Sequence, residues 1–284
     1  KPKQLASNND GIIAIGKKTR SLSIAFDLAN FKFLFAGFDK KNFIASTVED
    51  NGYSLTKMDD YTLSTGFKGS IKNDPGVDGR ILRYTIIDEN SIAVGSDFSL
   101  KIYSRDGLLK RNLRGANGAV TSIAVDHKYN YLITSTTDEV VRVWNIDTGE
   151  NIVAFYFTKN NDWICWTPSG YYEASAGGEK YLGWHVNKGI EKIPDFYPAY
   201  VFSKNFHQGD VVKQAIKLGS EKEAMAYLNV KKDLLTQNDV NVLTDAPIIK
   251  WISPETVNTD AGASKIIIKA EITSISEIKS IKIL

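Results

Sequence analysis

The chain has 284 residues, with 35 Lys and Arg set against 33 Asp and Glu, giving a net charge of +2. With 43% hydrophobic and 24% charged residues, it has the composition of a soluble protein and the length for two modest domains whose cores need no staples. Near-neutral charge gives no ground for a nucleic-acid or membrane-surface role. The single cysteine, Cys165, excludes an intramolecular disulfide. The longest apolar run, around Phe31 to Phe38, is far too short to span a bilayer. No leader peptide is visible, so the expectation is a cytoplasmic protein. The opening Lys-Pro-Lys, without an initiator Met, reads as a start inside a longer chain.

In chain order, Gly11 to Leu28 reads as the middle of a β unit that lacks its first strand and has no clear last one. A second unit is expected across Lys32 to Gly66, with Asn51-Gly52 as its hairpin turn. The acidic loop Asn73 to Gly79 lacks the later Glu of a calcium loop and runs straight into a strand, so it reads as a connection between units. From Ile81 a third unit begins, ILRYTIIDENSIAVGSDFSLKIYSRDGLLKRNL. It ends in a basic cluster, Lys110, Arg111 and Arg114, which reads as a solvated outer strand rather than a nucleic-acid patch.

Val120 to Phe157 is the clearest unit: four short runs rich in Val, Ile, Thr and aromatics, broken by Asp, Asn and Gly. Its apolar residues point to both faces, so both faces must be covered. Asp97 and Asp138 sit in the turn before the third strand of their units, and Tyr103 and Trp144 close that strand. Both pairs share an offset of 41 positions. A four-stranded antiparallel unit of about 40 residues, repeated and buried on both faces, predicts a β-propeller blade. About four blades are found before position 160, where seven would need roughly 280 residues. A partial ring completed by a segment outside this chain is preferred over a small ring.

These residues resemble WD-repeat proteins. Trp144-Asn145 stands where that family has its Trp-Asp, and Tyr103-Ser104 occupies the place one unit earlier. The resemblance implies a WD-type propeller in which Asp97 and Asp138 organise tight turns. No Gly-His pair precedes a first strand, which leaves the family's Asp-His-Ser/Thr-Trp network open here.

Asp162 to Asn187 follows, and predicts three short strands, DWICW, YYEAS and YLGWHV, that finish the propeller. Trp163, Trp166, Tyr172 and Trp184 are read as core anchors in preference to an aromatic cage for a cation. The run of Trp163, Trp166-Thr167-Pro168, Gly170-Tyr171-Tyr172, Ala174-Ser175, Gly178 and Gly183-Trp184-His185 with Asn187 closely resembles a segment that follows WD repeats in bacterial proteins carrying a caspase-like protease domain. The likeness continues through Asp195-Phe196-Tyr197-Pro198-Ala199, Phe206 and Asp210-Val211-Val212. It implies a caspase-like protease, in the same chain or a partner, as the thing regulated.

Beyond Gly189 a helix is expected over Pro198 to His207. A second is N-capped by Asp210 and stopped by Gly219, and a third opens on the box Ser220…Glu223. After a polar connector from Leu235, Ile252-Ser253-Pro254 and the alternating run from Lys265 look like the start of an immunoglobulin-like sandwich. Too little chain remains to complete it. The expected layout is therefore residues 1–189 as blades and closing aromatic sheet, 190–245 as helical linker and 246–284 as the truncated β domain.

No catalytic constellation is written in the sequence. His127, His185 and His207 lie in no metal-ligand spacing, Cys165 sits in a strand between Ile164 and Trp166, and no phosphate-binding glycine motif occurs. No catalytic, cofactor or metal residue is assigned. Asp97, Asp138, Tyr103, Trp144, Trp163, Trp166, Trp184 and His185 are expected to be structural turns and anchors. The preferred reading is a non-enzymatic interaction or sensor scaffold that recognises a protein or peptide at a propeller rim. The alternatives are a structural subunit whose propeller another chain completes, and a propeller hydrolase using channel carboxylates such as Asp97 and Asp138.

Overall fold

A computed structural model describes residues 4–18, 21–28, 30, 32–34, 43–50, 52–66, 69–158, 160–186, 190–191, 193–230, 248–253 and 269–273. The chain divides into two compact units, Lys1–Lys232 and Asp233–Leu284.

Four blade-like sheets make up most of the first unit. The first is the antiparallel meander β1 (Gln4–Ser7), β2 (Ile12–Lys18), β3 (Ser21–Asp27) and β4 (Lys32–Leu34). The second is broken into the pair β5 (Glu49–Asp50) and β6 (Tyr53–Ser54) and the trio β7 (Thr56–Lys57), β8 (Thr62–Ser64) and β9 (Ser70–Lys72). The third runs β10 (Ile81–Asp88), β11 (Ser91–Ser96), β12 (Leu100–Ser104) and β13 (Leu109–Asn112). The fourth has β14 (Val120–Asp126), β15 (Tyr131–Thr136), β16 (Val141–Asn145) and β17 (Asn151–Phe157), extended by β18 (Trp163–Trp166) and β19 (Tyr172–Ala174).

The cores lie between the sheets, which is why the strands are apolar on both faces. All six residues of β11 and all six of β15 are buried. Leu63, Ile71, Ile81 and Ile92 join the second sheet to the third, and Leu100, Ile102, Val120, Leu132 and Trp144 join the third to the fourth. Ala6, Ala14 and Ala25 of the first sheet form a cluster with Phe43 and Ala45 packed against it. Phe26 meets Phe155 at 4.7 Å and Phe33 meets Phe157 at 4.8 Å between centroids, joining the first sheet to the fourth. The inner segments touch in a cycle. β1 lies on β14 and β14 on β10, the Ile86 N–H donates to the Thr47 carbonyl at 2.7 Å, and Ser7 and Ile44 exchange backbone bonds of 2.9 and 2.7 Å. Sheets of this kind, covered on both faces and meeting along their inner segments, are the blades of a β-propeller.

Two expectations near the N-terminus are corrected. The first sheet does have a first strand, β1, and its last strand is β4, so Lys32–Leu34 closes the first unit instead of opening the second. Phe33 is buried there on Phe26, Phe157 and Trp163, and this packing holds KFL in the first sheet. Asp50 pairs with Tyr53, so the predicted hairpin turn falls where expected. Gly52 takes the positive φ of 74° that the turn requires, while Asn51 lies outside the described residues.

The predicted three-stranded finishing sheet is divided. WICW and YEA continue the edge of the fourth sheet as β18 and β19, with Trp166 opposite both Ala154 and Tyr172. The third run, β20 (Gly183–Val186), pairs instead with β21 (Asp195–Pro198), a strand the sequence did not signal. The Gln208 N–H bonds to the Tyr172 carbonyl at 3.0 Å and covers the free edge of β19, so no strand is needed there.

A 3₁₀ turn (Ala199–Phe202) leads into α1 (Ser203–Phe206), α2 (Gly209–Leu218) and α3 (Glu221–Tyr227). Helix α2 buries Val211, Val212, Ala215 and Ile216 against β17 and β19. Tyr131 donates its hydroxyl to the Ile216 carbonyl at 2.5 Å, and Asn145 Nδ2 reaches the Gly219 carbonyl at 3.1 Å. Gly219 ends α2 in the left-handed region, and Ser220 caps α3 by accepting from the Glu223 N–H at 3.4 Å. Asp210 is not the cap of α2. Gln208 holds that position without a side-chain bond, and Asp210 lies in the first turn, where its charge still suits the helix dipole.

In the second unit, β22 (Ile248–Ser253) pairs antiparallel with β23 (Lys269–Thr273). The expected connector from Leu235, Pro254, and Lys265 to Ile268 of the alternating run lie outside the described residues.

Candidate interaction surface

In the third and fourth sheets the turn before the third strand is built on an aspartate, and the two turns differ. Asp138 accepts from the Thr136 hydroxyl, from the Val140 N–H at 3.1 Å and from Arg142 Nη2 at 2.7 Å, all within its own turn. Burial pushes its carboxyl up, but the bonds from Arg142, Thr136 and Val140 outweigh that and hold it below the usual carboxylate range. Asp97 instead reaches back to Arg80, accepting from its N–H at 2.8 Å, Nε at 3.0 Å and Nη2 at 3.1 Å. That guanidinium lowers the Asp97 carboxyl.

The depressed Asp138 carboxyl sets a pH dependence. A carboxylate whose folded pKa lies below its unfolded value of about 3.9 stabilises fully above that value, and loses its contribution as pH falls through the folded pKa. Asp138→Asn is expected to cost about 1–3 kcal/mol at pH 7. Urea unfolding of both proteins should show that gap constant down to about pH 4 and shrinking below it. A gap that widens on acidification would contradict the turn's geometry.

The remaining predicted anchors fall into separate places. Trp144 is wholly buried, and its Nε1–H donates to Thr134 Oγ1 at 2.8 Å. Tyr103 is buried too, and burial pushes its hydroxyl up to about 12. Trp163 packs on Phe33 at 5.1 Å, while Trp184 packs on Phe206 at 4.4 Å and on Phe202 at 5.8 Å. Trp163 and Trp184 therefore pack on different partners. His185 is exposed, opposite Phe196 in the β20–β21 register. Tyr172 stacks on His207 at 4.9 Å, with Glu173 Oε1 3.0 Å from His207 Nε2. Cys165 is buried, and burial raises its thiol well above the ordinary value. Among the described residues no group of three His, Cys, Asp or Glu is placed to hold a metal ion, and no helix is long and apolar enough to cross a membrane.

The Asp97 turn is part of a larger platform that the sequence did not reveal. Asn73 is buried and donates to the Gly79 carbonyl at 3.0 Å and to Ser96 Oγ at 2.6 Å. Asp74 Oδ1 accepts from the Gly76 and Val77 N–H groups at 2.8 and 3.1 Å. Asp78 pairs with Lys101 Nζ at 2.6 Å in a nearly dry setting. Gly79 has a φ of 71°, and a Cβ there would lie 2.6 Å from Asp97 Cβ, so only glycine lets loop and turn meet. This framework holds Val77 67% exposed and Phe98 70% exposed. Beside them opens a cleft of about 290 Å³ that Leu100, Leu113, Arg114, Gly115 and Ala116 also line. Large apolar side chains held out by a rigid frame suit protein contact.

A family model described as "WD domain, G-beta repeat" matches residues 107–145. The match runs from just before β13 to the end of β16, so it joins the outer strand of the third sheet to the first three strands of the fourth. No curated protein matches the chain. Similar solved structures include the WD40 β-propeller domain of Doa1, 12% identical over 62% of each chain with a TM-score of 0.33. A computationally designed protein, Ika8, is 16% identical over 57% of each chain, also with a TM-score of 0.33. A mitotic checkpoint complex chain is 12% identical over 56% of this chain and 57% of its own, with a TM-score of 0.34. The chain thus spans less than two thirds of the length of these structures.

Proposed function

We propose that this chain is a non-enzymatic scaffold that docks a protein partner on the surface formed by Val77, Phe98 and the adjoining cleft. The observation that carries the reading is the pair of exposed apolar side chains held on a platform of buried hydrogen bonds and ion pairs. The hydrolase alternative finds no support at Asp97 and Asp138, because each carboxylate is occupied by an arginine. As a finer part of the proposal, the chain is the regulatory region of a larger bacterial cytoplasmic protein, and it controls a caspase-like protease in cis or in trans. The resemblance over Trp163 to Val212 supports that part, and a second, immunoglobulin-like β domain from residue 246 belongs to it.

A photo-crosslinking amino acid placed at Phe98 tests the docking. Irradiation in the source cells should give one discrete adduct, absent when the same group replaces exposed His127. Equal labelling at both positions, or none at Phe98, would remove the reading. The regulatory part fails if adding the chain leaves the peptide-cleavage rate of the partner protease unchanged.

A further inference from the structure

The cleft beside Val77 and Phe98 also carries charge, and its chemistry narrows what can dock there. Three cleft-lining side chains are ionic: Asp78, Lys101 and Arg114. Asp78 and Lys101 neutralise each other at 2.6 Å, and the neighbouring Asp97 is taken by Arg80. Asp74 spends its carboxylate on the N–H groups of its own loop. Arg114 is left over. Among the described residues no carboxylate or carbonyl bonds to its guanidinium, and none accepts from the N–H groups of Gly115 or Ala116 on the same loop. Gly115 has open space around its Cα at a φ of 108°, so its amide is sterically accessible. The cleft therefore offers one uncompensated cation and two free backbone donors, beside two exposed apolar side chains. Donors of this kind prefer an anionic acceptor to water, and the guanidinium fork matches a carboxylate.

Resting on the docking proposed above, we infer that the occupant is an acidic peptide segment. Its aromatic or aliphatic side chain seats between Val77 and Phe98, and a neighbouring carboxylate lies on Arg114 and the Gly115 and Ala116 amides. The apolar contact supplies affinity, and the carboxylate fixes register.

The test uses the whole ¹⁵N-labelled chain and two synthetic peptides, acetyl-Gly-Asp-Glu-Phe-Asp-Gly-amide and the same peptide with Lys at every acidic position. The acidic peptide should move the amide resonances of Val77, Phe98, Gly115 and Ala116 and leave those of Ala93 and Ile133 in place. Arg114→Glu and Phe98→Ala should each weaken that binding about tenfold or more. Both residues are exposed, so unchanged resonances of Ala93 and Ile133 in the variants show that the fold is intact. Equal shifts from the Lys peptide would overturn the acidic occupant and leave docking at this surface standing. No shift from either peptide at about millimolar concentration, where even a weak −4 kcal/mol contact registers, would overturn the peptide site itself. The crosslink at Phe98 decides independently whether a folded partner docks there.

Discussion

Trp144→Ala is expected to cost about 3–5 kcal/mol of folding stability, a large part of the roughly 5–15 kcal/mol that holds a typical domain. The indole is wholly buried between the third and fourth sheets, in one cluster with Leu100, Ile102, Val120 and Leu132. Alanine removes the ring and leaves a cavity that strands hydrogen-bonded on both sides cannot close. It also orphans Thr134 Oγ1, which is buried and accepts from Nε1–H at 2.8 Å. Trp144→Phe separates the two contributions. Most of the ring remains, and losing the bond should cost about 1–2 kcal/mol. Urea midpoints measure both variants. A loss below about 1 kcal/mol for the alanine variant would mean that this tryptophan does not lie between sheets.

Asp126→Ala is expected to loosen the first sheet more than any other part of the molecule. Asp126 is wholly buried at the end of β14. Its Oδ2 accepts from Ser7 Oγ at 2.6 Å and from the Gly11 N–H at 3.0 Å, and Oδ1 accepts from the Tyr129 N–H at 3.1 Å. The nearby Leu5 N–H donates to Ser122 Oγ at 2.8 Å, so polar side chains of β14 tie β1 in at two points. Removing the carboxylate leaves buried donors without an acceptor, at about 1–3 kcal/mol for each group left unmade. Amide exchange should accelerate at Ala6, Ala14 and Ala25 while Ala93 and Ile133 stay protected. In a double-mutant cycle with Ser7→Ala, the coupling should be about 1–2 kcal/mol. Strict additivity would deny the contact.

The two central sheets are legible in the sequence because each strand carries its own apolar run and each turn its own Asp, Asn or Gly. The shared offset of Asp97 with Asp138 and of Tyr103 with Trp144 marks equivalent places in β10–β13 and β14–β17. The first sheet is less legible for a physical reason. Its opening strand is four residues, QLAS, and its buried Ser7 is satisfied by Asp126, which is 119 positions away. Lys32–Leu34 misleads because its apolar content serves Phe26, Phe157 and Trp163, which local pattern cannot indicate. The finishing strands are legible, but the partner of β20 is not, since β21 is the short, aromatic DFYP next to a helical turn.

Of the candidate surface, only Asp97 and the basic Arg114 stand out in the sequence. Phe98 and Val77 look like ordinary apolar residues in turn-rich segments. Their exposure follows from bonds that hold the loop from outside, Arg80 to Asp97 and Lys101 to Asp78 across spans of 17 and 23 positions. Which charge in a cleft is left uncompensated depends on all of those pairings together, and no single stretch of sequence contains them.

Nuclear Overhauser contacts in the intact, isotope-labelled chain test the repeated-sheet architecture most directly. Cross-strand contacts are expected between Ala93 and Ile102 and between Ile133 and Val143, at equivalent places in two sheets. A contact from the Leu5 amide to the Ser122 side chain, between sheets, is expected as well. Contacts linking β10 directly to β13, or the absence of any contact between Leu5 and β14, would contradict this architecture.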